Sequence, residues 1–115
     1  MDSRYSLKNN SDFRRLYSKG KSAVTPYLVV YCRKNREGVN RIGYTVSAKL
    51  GHAVVRNRIK RQLREIYRLN SAAFFQGYDI VIVARSRCVG ADYHKIESAF
   101  LSVCSQLGLF AEKNP

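Results

Sequence analysis

Acidic residues are scarce in this chain: eight Asp and Glu face twenty-one Lys and Arg, for a formal charge of +13. Sites that bind metal for hydrolysis are built from clustered carboxylates, and no such cluster is visible in the sequence. No apolar run approaches the length of a membrane span, and the N-terminus has no signal-peptide apolar region. No membrane partner is expected. Cysteine is limited to Cys32, Cys88 and Cys104, odd in number and far apart. They fit buried thiols in a reducing cytoplasm better than disulfides or a zinc site. The two histidines, His52 and His94, show no partner pattern for a metal site or a nucleophile triad. Asp79 and Asp92 fall where turns and helix caps need them. No glycine-rich phosphate loop occurs, since Gly51 stands alone. Any chemistry is therefore expected on a partner.

The charge that is present is unevenly placed. Residues 1–68 hold seventeen bases and four acids, whereas residues 69–115 hold four of each. A chain of 115 residues can bury one core and is too short for two. Residues 1–115 are accordingly expected to form a single domain, without repeat or low-complexity linker.

The densest basic stretch runs from Lys49 to Arg68, KLGHAVVRNRIKRQLREIYR. It combines Lys49, Arg56, Arg58, Lys60, Arg61, Arg64 and Arg68 with one acid, Glu65. Good helix formers without Gly or Pro predict a helix from about Ala53 to Leu69. Val55, Ile59, Leu63, Ile66 and Tyr67 fall on one face, which must pack on a core. Asn57, Arg58, Lys60, Arg61, Arg64 and Arg68 fall opposite, as a cationic ridge. A solvated helix usually mixes signs at three- or four-residue spacing. Here Arg61 and Glu65 are expected to form the one such pair, in the less favourable order. A ridge of like charge points to a polyanionic partner.

Along the chain, residues 1–10 are polar and expected to be frayed or only partly docked. Ser11 and Asp12 open a helix that ends near Ser18 or Lys19, with Gly20 as a left-handed cap. Phe13, Leu16 and Tyr17 share one side of it, while Arg14 and Arg15 point elsewhere. A turn or short strand surrounds Ser22–Val24. Tyr27–Arg33 is a strand, apolar on both faces, and is expected to be covered on both. Tyrosines on such a strand are packing residues or a stacking platform for bases. Asn35–Asn40 is a turn, and Arg41–Ser47 returns from it, with hairpin pairing as the natural arrangement. Its Ile42, Tyr44 and Val46 share one face and its Gly43 and Thr45 the other. Phe74 and Phe75 are expected to cover a core edge. Asp79–Arg85 reads as a buried central strand. Asp92 caps a last helix with the stripe Ile96, Phe100, Val103 and Leu107, ended by Gly108, and the final residues are expected to be disordered.

The order of residues in SAKLGHAVVRNRIKRQLRE is more specific than its charge. It closely resembles the signature of the protein subunit of bacterial ribonuclease P: Val46, Ser47, Lys49, Gly51, Ala53, Val54, Arg56, Asn57, Arg58, Lys60, Arg61, Arg64 and Glu65. The Asp12–Phe13 helix, the LVVY strand and the DIVIVAR strand fall in register with the same family. The resemblance implies an α+β fold, a two-layer α/β sandwich in the order αβββαβα, like a domain also found in ribosomal proteins. It further implies a mixed sheet with a left-handed βαβ crossover, where physical rules alone predict a right-handed one.

By the same resemblance, the partners are the RNA subunit and precursor tRNA, with no obligate protein partner. An RNA subunit and its magnesium ions hydrolyse the bond joining the 5′ leader to the tRNA. Lys49, Arg56, Asn57, Arg58, Lys60, Arg61, Arg64 and Arg68 would contact the RNA subunit. Phe13, Tyr17 and Tyr31 would line a cleft for the single-stranded leader. Ala48 replaces a lysine common in the family, removing one phosphate contact, and His52 replaces a small amide or lysine. Three readings compete: an RNA-binding or ribosome-assembly module, a helix-turn-helix DNA binder and a protein-only nuclease. The second lacks a helix before the basic one; the third lacks clustered carboxylates.

Overall fold

A computed structural model describes residues 6, 7 and 9–111. The elements, in order, are α1 (Asn10–Lys19), β1 (Lys21–Val24), β2 (Leu28–Lys34), β3 (Arg41–Thr45), α2 (Ala53–Asn70), β4 (Tyr78–Ala84) and α3 (Tyr93–Gln106). Short 3-10 turns at Ala48–Leu50, Ser71–Ala73 and Ser86–Cys88 join the last strands and helices. The four strands form one mixed sheet in the order β1-β2-β4-β3.

The apolar run of β4 takes the interior of that sheet. It pairs antiparallel with β2, placing Val30 opposite Ile82, and parallel with β3, placing Ile42 opposite Ile80. One face carries Leu28, Val30, Cys32, Ile80 and Ile82 against Ile59, Leu63 and Ile66 of α2 and Ile96, Phe100 and Val103 of α3. The other face buries Val81 under Leu7 and Leu16, with Phe13, Tyr31 and Val83 at the margin. One face of β2 is buried at Leu28, Val30 and Cys32, whereas Val29 and Tyr31 on the other are only half-buried, less covering than expected. Period-2 alternation separates the two faces, since successive side chains serve opposite layers.

The hairpin expected between β2 and β3 does not form. β2 pairs with β1 instead, and β4 inserts between β2 and β3. A polar knot at one end of the sheet carries the loop across β4. Asn40, buried, donates its amide to the Phe75 carbonyl at 2.8 Å and accepts the Tyr78 N–H at 2.9 Å. Asp79 accepts from Arg41 Nε and Nη2, both at 2.8 Å, and from Asn35 Nδ2 at 2.9 Å. Asp79 is thus a buried strand residue in an ion pair, not the turn residue expected.

Several boundaries also shift. α1 begins at Asn10, one residue before the expected Ser11, with Asn9 at the N-cap position and no side-chain cap. Gly20 is extended, with φ −80°, so it is not a left-handed cap. Glycine is needed there for close approach: a Cβ would stand 2.6 Å from the Leu16 carbonyl oxygen and 2.9 Å from that of Cys32. Ser6 and Leu7 are docked, in line with the second of the two alternatives expected for residues 1–10. Ser6 bridges to Ile42 and the Leu7 N–H donates to the Ile42 carbonyl at 3.0 Å. Asp92 caps α3 as expected, accepting the His94 N–H. Leu109 is buried and Phe110 bridges to Phe74, while Phe75 is exposed. The expected disorder of the final residues concerns 112–115, and part of the expected fraying concerns 1–5 and 8; both lie outside the described residues.

Candidate nucleic-acid interface

α2 meets the expectation for an amphipathic basic helix. Ile59, Leu63 and Ile66 are fully buried, and Val55 and Tyr67 pack at the edge of the same core. Asn57, Arg58, Arg61, Arg64 and Arg68 are exposed on the opposite side, and Lys60 is half-buried. Arg56 is half-buried and donates Nε to the Gly51 carbonyl at 3.2 Å, which ties the start of the helix to the preceding turn. That turn is capped by Ser47, whose hydroxyl accepts the Lys49 N–H, and it leaves Ala48 and Lys49 exposed. His52 occupies the N-cap position, exposed and making no side-chain cap bond.

Glu65 does not pair with Arg61. It takes Arg68 in a fork, with Nε at 2.9 Å and Nη2 at 2.6 Å. The Glu65 carboxyl is held below its usual range by that hydrogen bond, and Arg68 is raised by the same contact. An acid N-terminal to a base is the favourable order along a helix, which explains the choice. Arg68 is therefore the most neutralised member of the ridge. Among the described residues, neither Arg61 nor Arg64 has an ion-pair partner.

On the opposite sheet face, α1 brings Phe13 and Tyr17 beside Tyr31 of β2. The Tyr17 and Tyr31 rings meet edge-on with centroids 4.9 Å apart, and Phe13 lies 6.4 Å from Tyr17. Tyr17 is 41% exposed, and its hydroxyl bonds that of Thr45 at 3.1 Å. Phe13, Arg14, Tyr17, Asn10 and Thr45 line a groove of about 430 Å³. Next to it on the same face runs the row Val24, Val29, Val83 and Thr45, in which Val24 is exposed.

Three members of this groove were not singled out from the sequence. Arg14 lines it rather than pointing elsewhere; its position three residues before Tyr17 is the spacing that places two side chains together on a helix. Thr45 is its polar wall. Asn10 is the third, at the start of α1, and beneath the groove the buried Gly43 makes room for the Phe13 ring, since a Cβ there would stand 2.7 Å from it. Nothing in the sequence around a lone strand glycine names the ring that lies on it.

A short stretch of chain joins the groove to the basic helix. β3 ends at Thr45 in the groove, and the chain reaches Lys49 and then α2 within a few residues. The family model for ribonuclease P matches residues 1–108. The chain belongs to the ribonuclease P protein family. It is similar to the ribonuclease P protein component of Alkaliphilus oremlandii, 48% identical over 103 residues that cover 90% of each chain. Among solved structures it is similar to a Staphylococcus aureus RNase P protein, a mutant described as having defective mRNA degradation activity. The TM-score is 0.86 at 35% identity, covering 93% of this chain and 91% of that one. The RNase P protein from Thermotoga maritima is similar at TM-score 0.77 and 34% identity, covering 84% of this chain and 92% of that one.

Among the described residues, no three His, Cys, Asp or Glu side chains come together. Asp79, the most buried acid, is engaged by Arg41. The three cysteines are buried and unpaired, and burial raises each thiol above its ordinary value. No helix among the described residues is long and apolar enough to cross a membrane.

Proposed function

We propose that this chain is the RNA-binding protein subunit of a ribonuclease P ribonucleoprotein that removes the 5′ leader of precursor tRNA. The observation that carries the reading is the junction at the end of β3. An aromatic groove on one sheet face and a cationic helix on the other are linked by the short stretch of chain from Thr45 to Lys49. Lys49, Arg56, Asn57, Arg58, Lys60, Arg61, Arg64 and Arg68 contact the RNA subunit. Phe13, Tyr17 and Tyr31 hold the single-stranded leader. Both surfaces suit RNA, one by phosphate neutralisation and one by stacking on unpaired bases. Phosphodiester hydrolysis belongs to the RNA subunit and the magnesium ions it holds. Three buried, unpaired thiols suit a reducing cytoplasm.

Reconstitution with a bacterial ribonuclease P RNA at low magnesium tests the reading. Leader removal should rise on adding this protein, and no rise would reduce the chain to an RNA-binding module. The purified protein alone should not cleave precursor tRNA, with or without magnesium. The mRNA degradation activity named for the Staphylococcus aureus relative makes the RNA-free control decisive. Cleavage that persists after rigorous removal of RNA would assign the chemistry to the protein.

The ridge gives a second measurable outcome. Arg61 is exposed and has no ion-pair partner among the described residues. Each phosphate neutralised contributes about 0.7–0.9 to the slope of log affinity against log salt. Arg61→Ala should weaken RNA-subunit binding and flatten the slope by about that share, with thermal stability held or slightly raised. An unchanged slope with a lost fold would make the ridge structural.

A further inference from the structure

A helix that only neutralises phosphates needs no apolar hollow beside it, yet α2 has one where it leans over β3. The hollow is about 320 Å³, with Ile42, Tyr44 and Tyr67 as its floor and Arg61, Arg64 and Ser71 on its rim. Glu65 stands in the wall as well, but its charge is taken up by the fork to Arg68. The rim therefore presents net positive charge around an apolar floor.

We infer that this hollow receives one unpaired nucleobase of the RNA subunit, with Arg61 and Arg64 taking the flanking phosphates. The inference rests on the reading of α2 as the RNA-subunit surface and names what that surface would recognise. Charge complementarity selects the occupant. An apolar or basic peptide would leave the two arginines opposed to apolar or like-charged groups. Single-stranded RNA alternates phosphate with flat, stackable bases, and unpaired bases pack on aromatic rings and guanidinium planes. Pockets for small ligands begin at about 300 Å³, so this one suits a single base rather than a longer segment.

The polar groups on the floor fit a base edge. Tyr67 is already held, since its hydroxyl accepts from Asn40 Nδ2 at 3.4 Å. The Tyr44 hydroxyl has no hydrogen-bond partner among the described residues. Burial and the neighbouring Tyr67 raise its pKa, and the charge of Arg64, which lines the same hollow, opposes them. Tyr44 can therefore donate or accept at a base edge while Arg64 closes over it.

Base-specific chemical probing of a ribonuclease P RNA bound to this protein tests the assignment. One unpaired base should be protected by the unaltered protein and regain reactivity with Ser71→Phe, which fills the hollow from its rim and leaves the ridge charges in place. Affinity should fall about five- to a hundred-fold, the range for one lost base contact. Backbone protection along the ridge should persist, and the melting midpoint of Ser71→Phe should show whether the fold survived. An abasic substitution at that nucleotide needs no altered protein. It should weaken binding by a similar factor and should not add to the effect of Ser71→Phe. RNA binding with no protected base, or additive losses, overturns the inference and leaves the subunit reading intact. Trimming residues 1–5 is the control for the chain itself as occupant: altered Tyr44 resonances in the RNA-free protein, with no base protected in the complex, assign the hollow to that segment. Failure of the unaltered protein to bind the RNA overturns both readings together.

Discussion

Asp79→Ala should destabilise the folded protein by about 3 kcal/mol, the low end of the ~3–5 kcal/mol expected when one partner of a buried ion pair is removed. The Asp79 side chain is 11% exposed and accepts from Arg41 in two places and from Asn35 in a third. Alanine would strand a guanidinium and an amide together. The Arg41 side chain is 24% exposed, so water can reach it, and this argues for the lower figure. Urea unfolding followed by far-UV circular dichroism measures the loss. The double variant Arg41→Met with Asp79→Ala removes the stranded charge and should recover most of it. A loss below about 1 kcal/mol would place the pair with ordinary surface ion pairs and leave the order of β2, β4 and β3 to apolar packing alone. Asp79 pairs with Arg41 at the opposite end of the β3–β4 ladder from Thr45. Once folded, the variant should therefore bind leader normally.

That same knot explains what could and could not be read from the sequence. β2, β4 and the buried stripe of α2 follow from local periodicity, because each is set by residues two to four apart. The place of β4 between β2 and β3 is set by Asn35, Asn40 and Arg41 reaching residues 75–79, about forty positions away. No window of sequence carries that pairing. The cationic ridge was legible because charge on a helix face needs no tertiary partner. The Glu65–Arg68 fork was not, although helix geometry favours it over Glu65–Arg61. Phe13, Tyr17 and Tyr31 entered through family resemblance, since aromatic residues in a helix or strand are equally ordinary core. Their convergence depends on Gly43, whose missing side chain makes room for a ring thirty residues earlier.

Tyr17→Ala should separate the leader groove from the core. Tyr17 is exposed at the groove, edge-on to Tyr31 and bonded to Thr45. Removing its ring gives up contacts to both Tyr31 and Phe13, so stability should fall by about 1–2 kcal/mol, the worth of two aromatic pairs, whichever substrate is bound. A stacked base contributes about 1–3 kcal/mol, so the holoenzyme should bind long-leader precursor tRNA roughly five- to a hundred-fold more weakly. Mature tRNA and a precursor with a one-nucleotide leader do not reach the groove, and their binding should barely change. Tyr17→Phe keeps the ring and loses only the Thr45 bond; most of the long-leader affinity should return with it. That variant distinguishes stacking from a hydrogen bond to the leader through the tyrosine hydroxyl. If Tyr17→Ala weakens long- and short-leader substrates equally and lowers the melting point by ~2–5 kcal/mol, the range for a truncated buried aromatic, then Tyr17 holds α1 to the sheet and the leader runs elsewhere.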